Sequence, residues 1–136
     1  MPRMLIVDDD PAWRNLYRMA FEGQFELFEA MDGYQALSVL GSVRPDVIVL
    51  DLRMPKMDGM DFLKRLSRRG PRVPVVICSA AFSDADRPEI PGVYLAAKTP
   101  ELRELWTALR HAVPGTAKVA SVAKQPGLVE EGVWRD

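Results

Sequence analysis

The chain has 136 residues, 48% of them apolar and 27% charged, with a formal net charge of -1. That composition describes one soluble globular domain able to bury a core, and it gives no electrostatic case for direct binding to DNA or RNA. A single cysteine, Cys78, rules out an internal disulfide and a cysteine-based zinc site; with no apolar stretch of membrane length and no signal peptide expected, a reducing cytoplasm is the expected compartment.

Apolar runs of strand length alternate with helix-period patterns, which predicts a doubly wound α/β sheet. The first strand is expected over residues 3–8, where Met4–Val7 runs into Asp8, Asp9 and Asp10. Asp10 then caps a helix with Pro11 at its first position. Trp13, Leu16, Tyr17 and Ala20 follow at helical spacing and read as its core face. A second strand, Gln24–Ala30, alternates imperfectly, as suits a strand nearer a sheet edge. The next helix covers Gly33–Gly41 and turns Ala36, Leu37 and Leu40 inward. Arg44-Pro45-Asp46 leads into Val47–Asp51, whose unbroken apolar run predicts burial on both faces.

A third helix runs from Asp58 to Arg68 with Leu63 and Leu66 inside, and its Lys64, Arg65, Arg68 and Arg69 read as a solvated end. The fourth strand, Val73–Cys78, leads to Ser79, and Cys78 itself reads as a buried strand residue. In Ala80–Gly92, Pro88 and Pro91 leave little room for helix, so a shortened helix 4 is expected. The fifth strand, Val93–Ala97, runs into Lys98. Thr99 as cap and Pro100 at the first position predict the start of the last helix. Its inner face is Leu102, Leu105, Trp106, Leu109 and Val113, and Pro114-Gly115 stops it. Residues 1–113 thus read as one domain. Residues 114–136 read as a linker remnant or a docking arm, too short for an output domain.

Four of the apolar runs end in a polar residue. Parallel α/β sheets bind ligands outside the carboxyl ends of their strands, near the switch point in strand order. Asp8, Asp9, Asp51, Ser79 and Lys98 are therefore expected at one site. Mg²⁺, or another divalent cation such as Mn²⁺, needs only one or two carboxylates when phosphate oxygens and water complete its shell. Asp9 and Asp51 are the best-placed direct ligands, with Asp8 acting through water. A cation would let carboxylates this close remain ionised. Asp51 is the expected nucleophile, because a carboxylate can form an acyl phosphate once metal and ammonium offset the incoming charge. Ser79 and Lys98 would bind phosphoryl oxygens. Taken singly, Ser79 is an ordinary strand-end hydroxyl and Lys98 a surface charge; convergence with Asp51 gives them weight.

The stretches Leu5-Ile6-Val7-Asp8-Asp9-Asp10 and Asp46–Gly59 (DVIVLDLRMPKMDG), with Ser79-Ala80 and Lys98, resemble the receiver domain of bacterial response regulators. The resemblance spans about residues 3–113. It implies a flavodoxin-like five-stranded parallel sheet of order 2-1-3-4-5 and a single-domain phospho-acceptor of a two-component system or phosphorelay. Asp51 would take a phosphoryl group from a sensor histidine kinase or a histidine phosphotransfer protein. Phosphorylation and dephosphorylation would be self-catalysed, without the turnover of a conventional enzyme. Asp8 and Asp9 would hold Mg²⁺ beside Asp51, with the backbone carbonyl of Arg53 completing the protein ligands. Lys98 would bind phosphoryl oxygens, and Ser79 would move toward them and draw the following loop along. Output would pass to a downstream protein target, with a homodimer as one form and no membrane contact.

The departures from that family all touch the readout. The Ser79–Lys98 path is short, Leu95 stands where an aromatic is usual, and Thr99 stands where proline usually follows the lysine. Tyr94 is one residue away from the aromatic position, which turns it to the opposite face unless a bulge restores register. Two other readings compete. A receiver-like scaffold acting independently of phosphorylation would explain Tyr94 but not the complete acidic site. A haloacid-dehalogenase-like phosphatase would use the Asp8-Asp9-Asp10 spacing. It would require Thr or Val at Ala12, and it would leave Asp51 and its following run unexplained.

Overall fold

Strands β1 (Arg3–Val7), β2 (Glu26–Ala30), β3 (Val47–Leu50), β4 (Val75–Ser79) and β5 (Val93–Ala97) form one parallel sheet in the order β2-β1-β3-β4-β5. Helices α1 (Pro11–Phe21), α2 (Gly33–Val43), α3 (Gly59–Ser67) and α4 (Arg103–Ala112) cover it. The computed structural model describes residues 1–69, 73–80 and 90–114. The shortened helix expected within Ala80–Gly92 therefore falls largely outside the described residues, as does the tail from residue 115.

The sheet divides the interior in two. Alternate residues of β1, β3 and β4 (Met4, Ile6, Val47, Val49, Val76 and Cys78) pack toward α1 and α4. Their neighbours Leu5, Val7, Ile48, Leu50, Val75 and Ile77 pack toward α2 and α3. Every residue of β3 and β4 is buried, which is why these strands read as continuous apolar runs without alternation. On the first side Phe21 is the central aromatic, 4.8 Å from Trp106 and 5.6 Å from Phe25 between ring centroids, both edge-on.

Asp10 caps α1 as expected, and Asp32 and Asp58 cap α2 and α3 in the same way. Asp10 accepts the Ala12 N–H at 2.9 Å, Asp32 accepts that of Gln35 at 2.8 Å, and Asp58 accepts that of Asp61 at 2.9 Å. β2 starts at Glu26, later than Gln24. The Gln24 and Phe25 N–H groups bond back to the Phe21 carbonyl at 2.9 and 3.1 Å, which commits both residues to the end of α1.

The start of the last helix is a correction. Thr99 does not cap it and Pro100 is not its first residue; α4 begins at Arg103. Leu102 N–H donates to the Thr99 carbonyl at 3.0 Å, closing a turn that takes Pro100 at its second position. Leu102 then sits in the left-handed region at φ 56°, only 3% exposed. Burial of its side chain accompanies the unfavourable backbone.

One glycine fixes the approach of α3 to the sheet. A Cβ at Gly59 would lie 2.6 Å from both the Asp51 carbonyl oxygen and Leu52 Cα, while Gly59 N–H donates to the Leu52 carbonyl at 2.9 Å. Both obstacles are backbone and cannot swing aside. Gly59→Ala is expected to cost about 2 kcal/mol through this overlap. It should appear as a lower urea midpoint with an unchanged denaturant slope; an unchanged midpoint would refute the close approach.

Candidate functional site

At the carboxyl end of the sheet the chain leaves β1 and β3, adjacent strands whose connections run to opposite faces. Asp8 and Asp51 follow these strands directly and are held by ladder bonds to their neighbours. Asp8 N–H donates to the Ala30 carbonyl at 3.1 Å and Asp51 N–H to the Val7 carbonyl at 3.0 Å. Asp8 is 1% exposed and Asp51 7%, while Asp9 is open to solvent. One carboxylate oxygen from each of the three lies within 4.8 Å of the others.

Lys98 enters from the end of β5, its backbone N–H bonded to the Ser79 carbonyl at 3.0 Å. Its Nζ stands 2.8 Å from Asp8 Oδ2 and 3.3 Å from Asp51 Oδ2, with the side chain only 7% exposed. It also lies 5.0 Å from the centroid of the Trp13 ring. Burial alone would lower the Lys98 pKa, but the Asp8 contact and the charges of Asp8 and Asp51 outweigh it and hold the ammonium above its ordinary value. Asp51 moves up as well. Burial is the largest cause and Asp8 adds to it, against the opposing pull of Lys98 and the Arg53 N–H.

The donor set fits a divalent cation on its own terms. Asp8 Oδ1 accepts the Asp10 N–H at 2.9 Å. Asp8 Oδ2 is buried and is met by the Lys98 ammonium at 2.8 Å. Three carboxylates also outnumber the single ammonium in contact with two of them, and hard oxygen donors of this kind suit Mg²⁺.

The structure thus brings Asp8, Asp9, Asp51 and Lys98 together. Ser79 is 2% exposed at the end of β4, on the strand adjoining β3. Arg53 is exposed, and its N–H donates to Asp51 Oδ1 at 3.3 Å. The run after Asp51 is explained by packing. Met54 and Met57 are buried against the α2–α3 side, Asp58 caps α3 and Gly59 permits its approach.

Sequence reasoning missed two neighbours of the site. Arg14 donates from Nη1 to the Asp8 carbonyl at 2.8 Å and from Nε to Glu29 Oε1 at 3.0 Å, tying the β1–α1 connection to β2. Trp13, read as core, is half-buried and faces Lys98. Helical spacing assigned it an inward side, but it could not say that the first turn of α1 lies beside the strand ends.

Two further residues behave as strand packing. Tyr17 O–H donates to Cys78 Sγ at 3.3 Å, and burial pushes the Cys78 thiol up to about 11, so it is not a nucleophile near neutrality. Tyr94 pairs with Val76 and Leu95 with Ile77 in an unbroken register through β5. No bulge restores the aromatic position. Tyr94 packs toward α1 and α4, while Leu95 packs toward α2 and α3.

A parallel sheet of order 2-1-3-4-5 with an acidic cluster at its switch point defines the class: a flavodoxin-like α/β domain built to meet a ligand at its carboxyl edge. Within that class, the family model of the response regulator receiver domain matches residues 4–92, and the chain belongs to that family, the receivers of two-component systems. Response regulator MprA of Mycolicibacterium vanbaalenii is 38% identical over 87 residues, covering 62% of this chain and 37% of the relative. The protein-glutamate methylesterase/protein-glutamine glutaminase of Treponema denticola is 47% identical over 81 residues, 57% of this chain and 22% of the relative. The chain therefore spans well under half the length of these curated relatives. Among solved structures, chemotaxis protein CheY4 of Vibrio cholerae superposes with a TM-score of 0.72 at 26% identity, covering 83% of this chain and 99% of that one. Response regulator protein TrrA of Thermotoga maritima, solved in complex with histidine kinase ThkA, gives a TM-score of 0.74 at 23% identity, covering 83% and 99% of the two chains.

Proposed function

We propose that Asp51 is the phosphoryl acceptor of this receiver, charged by a sensor histidine kinase or a histidine phosphotransfer protein. The observation that carries this reading is the trio of Asp8, Asp9 and Asp51 with Lys98 set against two of them. An Asp51 carboxylate oxygen attacks phosphorus and a P–O bond forms. The P–N bond to the donor imidazole breaks, its electron pair returns to the ring nitrogen, and that nitrogen takes a proton from solvent. Hydrolysis by water later returns the free carboxylate and inorganic phosphate. Asp8, Asp9, Asp51 and the Arg53 carbonyl would hold Mg²⁺, or Mn²⁺ in its place. When bound, it offsets charge on the carboxylates and phosphoryl oxygens. Lys98 and Ser79 bind the remaining phosphoryl oxygens. TrrA is found with a histidine kinase, and a kinase of that kind is the donor proposed here. Residues 1–113 form the working receiver in the cytoplasm, with 114–136 as linker remnant or docking arm, and a downstream protein reads the result. Among the described residues no helix is long and apolar enough to cross a membrane.

A specific observation favours a second reading. Tyr94 lies across the sheet from the side on which Leu95 packs, so the usual aromatic readout has no partner in register. A scaffold that binds its target regardless of phosphorylation would need no such readout. Intact-mass spectrometry after incubation with Mg²⁺ and acetyl phosphate separates the two. One phosphoryl adduct, abolished by EDTA, supports the acceptor reading; no adduct with metal binding intact supports the scaffold.

A further inference from the structure

We propose that Trp13 is a positioning residue for phosphoryl uptake, holding the Lys98 ammonium at the site through the face of its indole ring. The proposal rests on the acceptor reading of Asp51. Lysine carries its charge on a flexible four-carbon stem and is strongly hydrated when free. Here the side chain is 7% exposed and three groups surround its ammonium: Asp8 at 2.8 Å, Asp51 at 3.3 Å, and the Trp13 ring with its centroid at 5.0 Å. That last distance lies within cation–π range.

The three partners differ in what happens to them during the reaction. Asp8 and Asp51 are both proposed metal ligands, and Asp51 is also the acceptor, so their oxygens are claimed by other groups. Trp13 is uncharged, ligates nothing and competes for nothing. Of these three contacts among the described residues, it is the one that neither the metal nor the phosphoryl group would claim.

The ring packs at the end of an aromatic row. The backbone N–H of Trp13 donates to the Asp10 carbonyl at 3.1 Å, which places its main chain in the first turn of α1, directly after the loop that carries Asp8 and Asp9. Tyr17 lies 6.0 Å away between centroids, Tyr17 is 1% exposed, and Phe21 follows at 6.3 Å. An aromatic row running back into the core therefore sets the angle at which the indole meets the ammonium. The loop after β1 carries Asp8 and Asp9, and the helical turn that follows it supplies the surface on which the lysine rests.

The test compares wild type with Trp13→Leu and Trp13→Phe. In metal-free protein, side-chain NMR of Lys98, assigned through Lys98→Met, should show its terminal methylene protons upfield of those of the exposed Lys56 and Lys64. Trp13→Leu should return them to the common range, and Trp13→Phe should leave them between. With Mg²⁺, the rate constant for phosphoryl uptake from acetyl phosphate should fall roughly three- to tenfold in Trp13→Leu and recover most of that in Trp13→Phe. Mg²⁺ affinity should stay unchanged, because Trp13 is not a ligand. Lys98 resonances that ignore Trp13→Leu, or an uptake rate equal to wild type, would overturn the proposal. If wild type takes no phosphoryl group at all, the acceptor reading falls and the positioning role with it, although a surviving ring-current shift would still mark the contact itself.

Discussion

Asp51→Ala is expected to abolish phosphoryl uptake from acetyl phosphate at any donor concentration, read as the complete absence of the adduct in intact-mass spectra. Among the described residues, the two other carboxylates of the cluster are not placed to stand in. Asp9 is solvent-exposed, and Asp8 is nine-tenths or more buried with one oxygen already bonded to the Asp10 N–H. An adduct that persists on the variant would refute the assignment of Asp51. The same residue carries a stability signature in EDTA. Its carboxyl is raised above the ordinary value by burial, so the ionised form opposes folding at neutral pH. That penalty fades as pH falls through the raised folded value, because the unfolded carboxyl stays ionised to lower pH. Asp51→Asn should therefore be more stable than wild type at neutral pH without metal, with an advantage that shrinks on acidification.

Lys98→Met should slow uptake by about a hundredfold, the cost of removing one charged donor from a site where negative charge accumulates. Methionine keeps the length of the stem without its charge, so packing against Trp13 is largely retained. Metal affinity should hold or rise, because the ammonium no longer occupies the face of Asp8 Oδ2. Time-resolved mass spectra give the rate, and calorimetric titration with Mg²⁺ gives the affinity. A rate within a few fold of wild type would remove Lys98 from the chemistry. A loss of metal binding would mean instead that the lysine organises the carboxylates.

The central strands were legible because burial on both faces leaves a continuous apolar run, and each run stops at the carboxyl edge of the sheet in a polar residue. That is why Asp8, Asp51 and Lys98 could be assigned to one edge before any contact was known. Asp10 was legible as a cap because aspartate followed by proline has few other uses at a strand end. Thr99-Pro100 misled for a related reason. Proline suits the first position of a helix and the second position of a turn equally well, and here it takes the turn that ends at the buried Leu102. Trp13 and Gly59 were opaque in another way. Their roles depend on what lies across space, Lys98 for one and the Asp51–Leu52 backbone for the other, and neither partner is adjacent in sequence.

The register of β5 has a consequence for how information could leave this molecule. The sheet acts as a partition, and Tyr94 and Leu95 stand on opposite sides of it. Any rearrangement begun at Asp51 and carried by Ser79 along the α2–α3 side meets an aliphatic group at Leu95, which offers no ring to rotate and no hydroxyl to expose. A partner resting on Tyr94 and α4 would watch the wrong side of the wall. On the acceptor reading, the described residues leave backbone displacement or the charge at the carboxyl edge as the routes for a message, and a listener would be shaped for one of those.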